Sequence, residues 1–322
     1  MKPILFSFLF LLLPKIVFSQ VSKDNELVLS PQDNFTYLDS TSTETKSKDY
    51  VYIRVVKDAK LKKGTYIVQE YYRSGSLRME GISKTYDGYN KEGNVTYYYK
   101  NGTKKSATNY IKGRVNGKDY EWYENGNKKL EGKYIEDEKK RTTEHKIEQF
   151  WDENGVQKVI DGNGFFEDKG ENEYSKGAIK NGFKDGVWEG SFLNPNFTYK
   201  ETYTEGKLIS GTSIDKNGIK ADYDVLEKKP EVRGGIENFY RYIGKNFQIP
   251  QVEGLKGKIY VKFIIDKEGK IVESKVIRDL GYGTGQEALR ILANYNGFAP
   301  GEQRGQKLRC MYSLPITISN AK

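Results

Sequence analysis

The chain has 322 residues, 36% hydrophobic and 30% charged, which leaves room for two or three domains and argues against one large apolar core. Its formal charge of +9 comes from 53 Lys and Arg against 44 Asp and Glu. That mild excess fits a lysine-rich surface and carries none of the interleaved basic motifs of a nucleic-acid module. One cysteine, Cys310, excludes an internal disulfide, and one histidine, His145, leaves a metal centre without its usual ligand set.

At the start, Lys2 precedes the apolar run 4–13, and Val17-Phe18-Ser19 sets modest residues before Gln20. This layout predicts a secretory signal peptide over residues 1–19, too short to span a membrane. Removing it leaves 51 basic against 44 acidic residues, or +7. Residues 20–49 are rich in Ser, Thr, Asp and Lys and read as a mobile lead-in.

Residues 50–222 repeat themselves. Tyr71-Tyr72-Arg73-Ser74-Gly75, Tyr98-Tyr99-Lys100-Asn101-Gly102, Trp122-Tyr123-Glu124-Asn125-Gly126 and Trp151-Asp152-Glu153-Asn154-Gly155 end in glycines 27, 24 and 29 residues apart. A repeat array has this kind of period. Each Asn-Gly or Ser-Gly pair predicts a hairpin reversing across two residues. In a chain with 25 Tyr, 33 Gly and only 8 Pro, this segment should form an elongated antiparallel sheet, its rings packed over glycines of adjacent units. These units resemble MORN-variant repeats of secreted and surface proteins of Gram-negative bacteria. Successive aromatics must occupy both sheet faces. Trp122 and Trp151 are candidate ring-stacking positions for peptidoglycan or a surface glycan.

Residues 223–229 read as a linker, and the last module occupies 230–322. Ile236, Phe239, Tyr240, Ile243 and Phe247 recur at helical spacing, while Ile259, Val261, Phe263 and Ile265 alternate on a strand. Residues 266–269 turn the chain back into a second strand over 271–278. Thr284 is placed to cap a second helix carrying Ala288, Ile291, Leu292 and Tyr295 inward. A third strand is expected over 307–314, with Cys310 on its inner face. The expected fold is therefore mainly β: a hairpin-repeat sheet, then a small α+β domain of two helices on a three-stranded antiparallel sheet.

The motifs Pro230-Glu231-Val232-Arg233-Gly234-Gly235, Glu287-Ala288-Leu289-Arg290, Ala299-Pro300-Gly301 and Leu314-Pro315-Ile316, around the strand Gly257 to Asp266, resemble the TonB C-terminal domain. That resemblance implies a periplasmic module that adds the TonB box of an outer-membrane transporter as a strand at its sheet edge, in the service of transmembrane transport. The edge is expected at 307–313, with Lys307, Arg309, Met311 and Ser313 as partner-binding residues. Phe298 stands where the family usually carries Trp. The membrane helix and Pro-rich spacer of the energy transducers have no counterpart, so direct coupling to the inner-membrane motor is not expected. The alternative is an envelope scaffold or glycan-binding protein in which the repeats bind and the last module only assembles.

No catalytic residue, cofactor or metal site is nominated. His145 sits in the charged stretch Thr143-Glu144-His145-Lys146 and reads as a solvated loop residue. Gly281-Tyr282-Gly283-Thr284-Gly285 lacks the Gly-Lys-Ser/Thr continuation of a phosphate loop.

Overall fold

The computed structural model describes residues 29–61, 64–137 and 142–319. The proposed leader and the first part of the lead-in lie outside them. The fold is mainly β: sixteen antiparallel strands in simple sequence order, from Asn34–Leu38 to Lys220–Tyr223, followed by a part with two helices and further antiparallel strands. Two compact units divide at Val115 and Asn116, within the strand Arg114–Trp122.

In the first unit, the stretch expected to be a mobile lead-in contains Asn34–Leu38, paired in register with Tyr52–Val56. Leu38 is fully buried there, so the short run Phe35-Thr36-Tyr37-Leu38 supplies enough apolar surface to order it. Nearby, Arg54 donates from Nη2 to the buried Glu70 carboxylate at 2.8 Å, and Arg78 closes on its other oxygen. Val56, Val68, Met79 and Val95 form the apolar core beside this ionic cluster.

The hairpins use two turn chemistries, not one. At Gly75, Gly102, Gly126 and Gly155 only the glycine has positive φ, 81–89°. Gly75 N donates to Tyr72 O at 2.8 Å and Tyr72 N to Ser76 O at 2.9 Å, enclosing the three-residue loop Arg73-Ser74-Gly75. The predicted two-residue reversal is thus corrected to a three-residue turn with a glycine bulge, because the preceding Ser or Asn keeps ordinary φ. Two-residue reversals occur instead at Lys112-Gly113, Asp161-Gly162, Asn181-Gly182 and Glu205-Gly206, where both residues have positive φ.

In the second unit the rings do lie over glycines. Gly177, Gly190 and Gly211 face Trp188, Tyr199 and Tyr223 across strand pairs, and a Cβ at any of them would come within 2.5 Å of the opposing ring. A glycine opposite a ring leaves room for that ring to lie flat on the neighbouring strand. Phe150, Val159, Ile179, Trp188 and Tyr203 continue the core.

The last module builds its sheet from Ile271–Arg278, Lys256–Ile265 at the centre, and Cys310–Ser319. The first helix, Ile236–Asn246, and the second, Thr284–Ala293, cover one face. Phe239, Ile259, Phe263, Ile291, Leu292 and Phe298 are at most 1% exposed. Phe298 meets the Phe239, Phe263, Tyr295 and Tyr312 rings in the middle of this core. Thr284 does not cap its helix. Gly283 holds that position at φ 78°, and the Thr284 hydroxyl donates to Gly281 O at 2.8 Å inside the turn.

Candidate docking edge and its anchorage

The expected third strand is two elements. Gln306–Leu308 pairs with Gly301–Gln303 in a hairpin turning at Arg304-Gly305, and Cys310–Ser319 then runs along the central strand. Arg304 and Gly305 both have positive φ and reverse the chain between Gly301–Gln303 and Gln306–Leu308, while Arg309 separates Gln306–Leu308 from Cys310–Ser319.

Cys310–Ser319 is a regular edge. All ten of its residues pair with Lys256–Ile265, and among the described residues no strand pairs with its other side. The opposite border, Ile271–Arg278, is interrupted by register shifts, and Glu273 has φ 51°. Bulges blunt an edge against strand addition, so the regular border is the one open to a guest. Pro315 lies in this strand opposite Tyr260. An edge strand accommodates proline when its nitrogen faces away from the ladder. With strict alternation, Met311, Ser313, Thr317 and Ser319 then turn their N–H groups outward as well.

The four nominated partner residues are dispersed by this arrangement. Lys307 belongs to the hairpin, opposite Glu302. Arg309 precedes the edge strand and its guanidinium is closed onto Glu273, spanning the solvent face of the sheet. Met311, at 71% exposed, and Ser313 sit on the edge itself with side chains away from the helices. A groove of about 700 Å³ adjoins the same strand, lined by Pro230, Val232, Ile236, Ala299 and Tyr312 among others.

Sequence reasoning missed Arg304. Its side chain is buried among the last repeats, donating from Nε to Glu201 Oε1 at 2.6 Å and lying over the Tyr199 ring at 4.1 Å. The Glu201 carboxylate also accepts from the Tyr223 hydroxyl at 2.8 Å and the Tyr203 hydroxyl at 2.9 Å. Burial alone would lower the Arg304 pKa, but the charge and hydrogen bond of Glu201, with Tyr199 and Glu173, together outweigh it and the net shift is upward. Around this plug, Ser213 Oγ donates to Arg304 O at 2.7 Å, and Arg304 N donates to Leu226 O at 2.6 Å. Glu227–Lys228, expected in a linker, pairs with the hairpin strand Gly301–Gln303. Sequence carried one signal for this: Arg304-Gly305 has the form of the Glu205-Gly206 turn.

Trp122, Trp151, His145 and Cys310, also singled out in the sequence, all lie in strands. Trp122 and Trp151 are both half-buried, and Lys128 Nζ lies 5.5 Å above the Trp151 ring. His145 lies within the strand Thr142–Trp151, not a loop, stacked on Tyr134 at 4.3 Å with Nε2 3.1 Å from the buried Asp119 carboxylate. The charged stretch forms a strand because its four residues pair one for one with Lys133, Tyr134, Ile135 and Glu136. Cys310 is half-buried opposite Ile265. Among the described residues no cluster of His, Cys, Asp and Glu has metal-binding geometry, and no helix is long and apolar enough to cross a membrane.

Residues 250–317 match the family model of the Gram-negative bacterial TonB protein C-terminal. The match takes in the strand Ile271–Arg278, most of Cys310–Ser319, the second helix and the Arg304 hairpin, and does not reach the Pro230–Gly235 motif. This portion of the chain is TonB-like, a domain of the Gram-negative envelope. Comparison with curated proteins gives no match.

Proposed function

We propose that the last module docks partners in the periplasm by taking an extended segment as a fourth strand along Cys310–Ser319. The segment is of the kind a TonB-dependent outer-membrane transporter presents as its TonB box. The observation that carries this reading is the regular, open edge, set beside an opposite border that is bulged. Main-chain bonding supplies affinity with modest sequence demand, which suits a module serving transport. The MORN-variant reading of the repeats gives them the part of a spacer or second contact surface, and the Arg304 plug supports it by tying the docking module to the last strands. No catalytic step is required of any residue.

The test is a titration of the isotope-labelled chain with TonB-box peptides, read by NMR. The expected result is amide shifts concentrated at Met311, Ser313 and Thr317. A panel of such peptides that leaves these amides unmoved rules the docking role out.

A further inference from the structure

The solvent face of the three-stranded sheet concentrates positive charge in a way the docking edge does not need. Lys256, Lys258 and Lys262 alternate outward along the central strand, and all three are exposed. On the neighbouring strand, Lys275 stands directly opposite Lys262, and Arg278 opposite Tyr260. Like charges facing each other across a strand pair destabilise a sheet, so Lys262 and Lys275 oppose folding where they stand. Among the described residues, none of these five cations has a carboxylate within ion-pairing distance, and the nearby Glu273 is taken by Arg309.

Apolar groups stand among these charges. Ile277 is 53% exposed, Met311 71% and Tyr260 37%. A face that mixes lysines with exposed aliphatic and aromatic tips has the two components of interfacial membrane binding: attraction to anionic headgroups, and shallow burial of apolar side chains. A soluble polyanion would use the charges and leave the tips in water. We propose that this sheet face rests on a bilayer carrying anionic phospholipid, with Lys258, Lys262, Lys275 and Arg278 against the phosphates and Ile277 and Met311 entering the headgroup layer. The face is distinct from the strand edge, so membrane binding leaves the main-chain groups of Cys310–Ser319 free.

The experiment is co-flotation of the full chain with vesicles of phosphatidylethanolamine containing phosphatidylglycerol, compared with phosphatidylcholine alone. Binding is expected to the anionic vesicles and to fall steeply with added salt. The triple variant Lys258→Glu, Lys262→Glu, Lys275→Glu should bind at least a hundredfold more weakly, at roughly a fivefold loss or more per charge. Reversing Lys118, Lys169 and Lys180 on the repeats should change binding little. The variant Ile277→Ser with Met311→Ser, which keeps every charge, should also weaken vesicle binding. Circular dichroism checks that each variant folds. The proposal is overturned if anionic vesicles do not retain the chain, if the repeat variant loses as much as the sheet variant, or if the serine variant binds like the wild type. The last result would mark a face for soluble polyanions.

Discussion

Arg304 and Glu201 are 103 residues apart in sequence and 2.6 Å apart in space, and their side chains are 8% and 0% exposed. The pair joins the docking module to the repeats, and its burial makes it strongly asymmetric to mutation. Arg304→Ala strands a buried carboxylate and should cost about 3–5 kcal/mol. Adding Glu201→Gln should recover part of that loss, because the orphaned charge is gone while the amide oxygen still accepts from one of the Tyr203 and Tyr223 hydroxyls and the amide NH2 can donate to the other. Urea unfolding followed by tryptophan fluorescence checks both. A double variant no more stable than Arg304→Ala alone would show that the carboxylate is not the source of the cost.

The glycines beneath rings make a second prediction. A Cβ at Gly177 would stand 2.4 Å from the Trp188 indole, whereas one at Gly244, in the first helix, meets nothing within 4 Å. Gly177→Ala should therefore destabilise by about 1–3 kcal/mol through displacement of the ring. Gly244→Ala should stabilise by about 0.5–1 kcal/mol through helix propensity. Thermal melts of the two variants should move in opposite directions.

Alkaline pH should loosen the repeats. Burial, with the nearby Asp168 charge, pushes the Tyr123 hydroxyl from 10.0 to about 12, and it donates to Trp151 O at 2.9 Å. Burial and the hydrogen bond to Glu80 likewise raise Tyr98 to about 12. A raised folded pKa means the contribution is whole below the unfolded value of 10.0 and disappears as pH climbs to about 12. Stability should hold steady up to about pH 10 and then decline. Tyr123→Phe should start less stable and decline less steeply, as read by denaturant midpoints at each pH.

The open edge predicts a separation between binding and folding. Ser313→Pro removes one outward N–H without touching the ladder to Lys256–Ile265, given the alternation that Pro315 sets. Peptide affinity should fall about tenfold while the melting temperature stays within a few degrees, since one lost main-chain bond to a guest is worth about 1 kcal/mol or somewhat more. A large fall in melting temperature would show that Ser313 bonds inward and that the alternation is reversed.

Much of the last module was legible because its signals are local and periodic. Alternation from Ile259 to Ile265 and helical spacing from Ile236 to Ile243 each mark a buried face by themselves. The repeats were legible as strands and turns, but turn type was not: an Asn-Gly pair serves a two-residue or a three-residue loop, and the choice depends on the φ of the residue before glycine. His145 was misplaced because a run of charged residues gives no apolar pattern, although pairing with Lys128–Asp137 makes it a strand.

The amino-acid sequence by itself determined the mainly β character and the TonB-like end, since each follows from local pattern, whereas strand register decided which glycines lie under which rings. Tertiary structure alone decided that residues 227–228 and Arg304 bind the two parts of the second unit together, and that Met311 and Ser313 reach an unpaired border while Lys307 and Arg309 are engaged elsewhere. Those outcomes depend on which distant strands meet, and a buried ion pair spanning a hundred residues leaves no periodic trace in the chain that forms it.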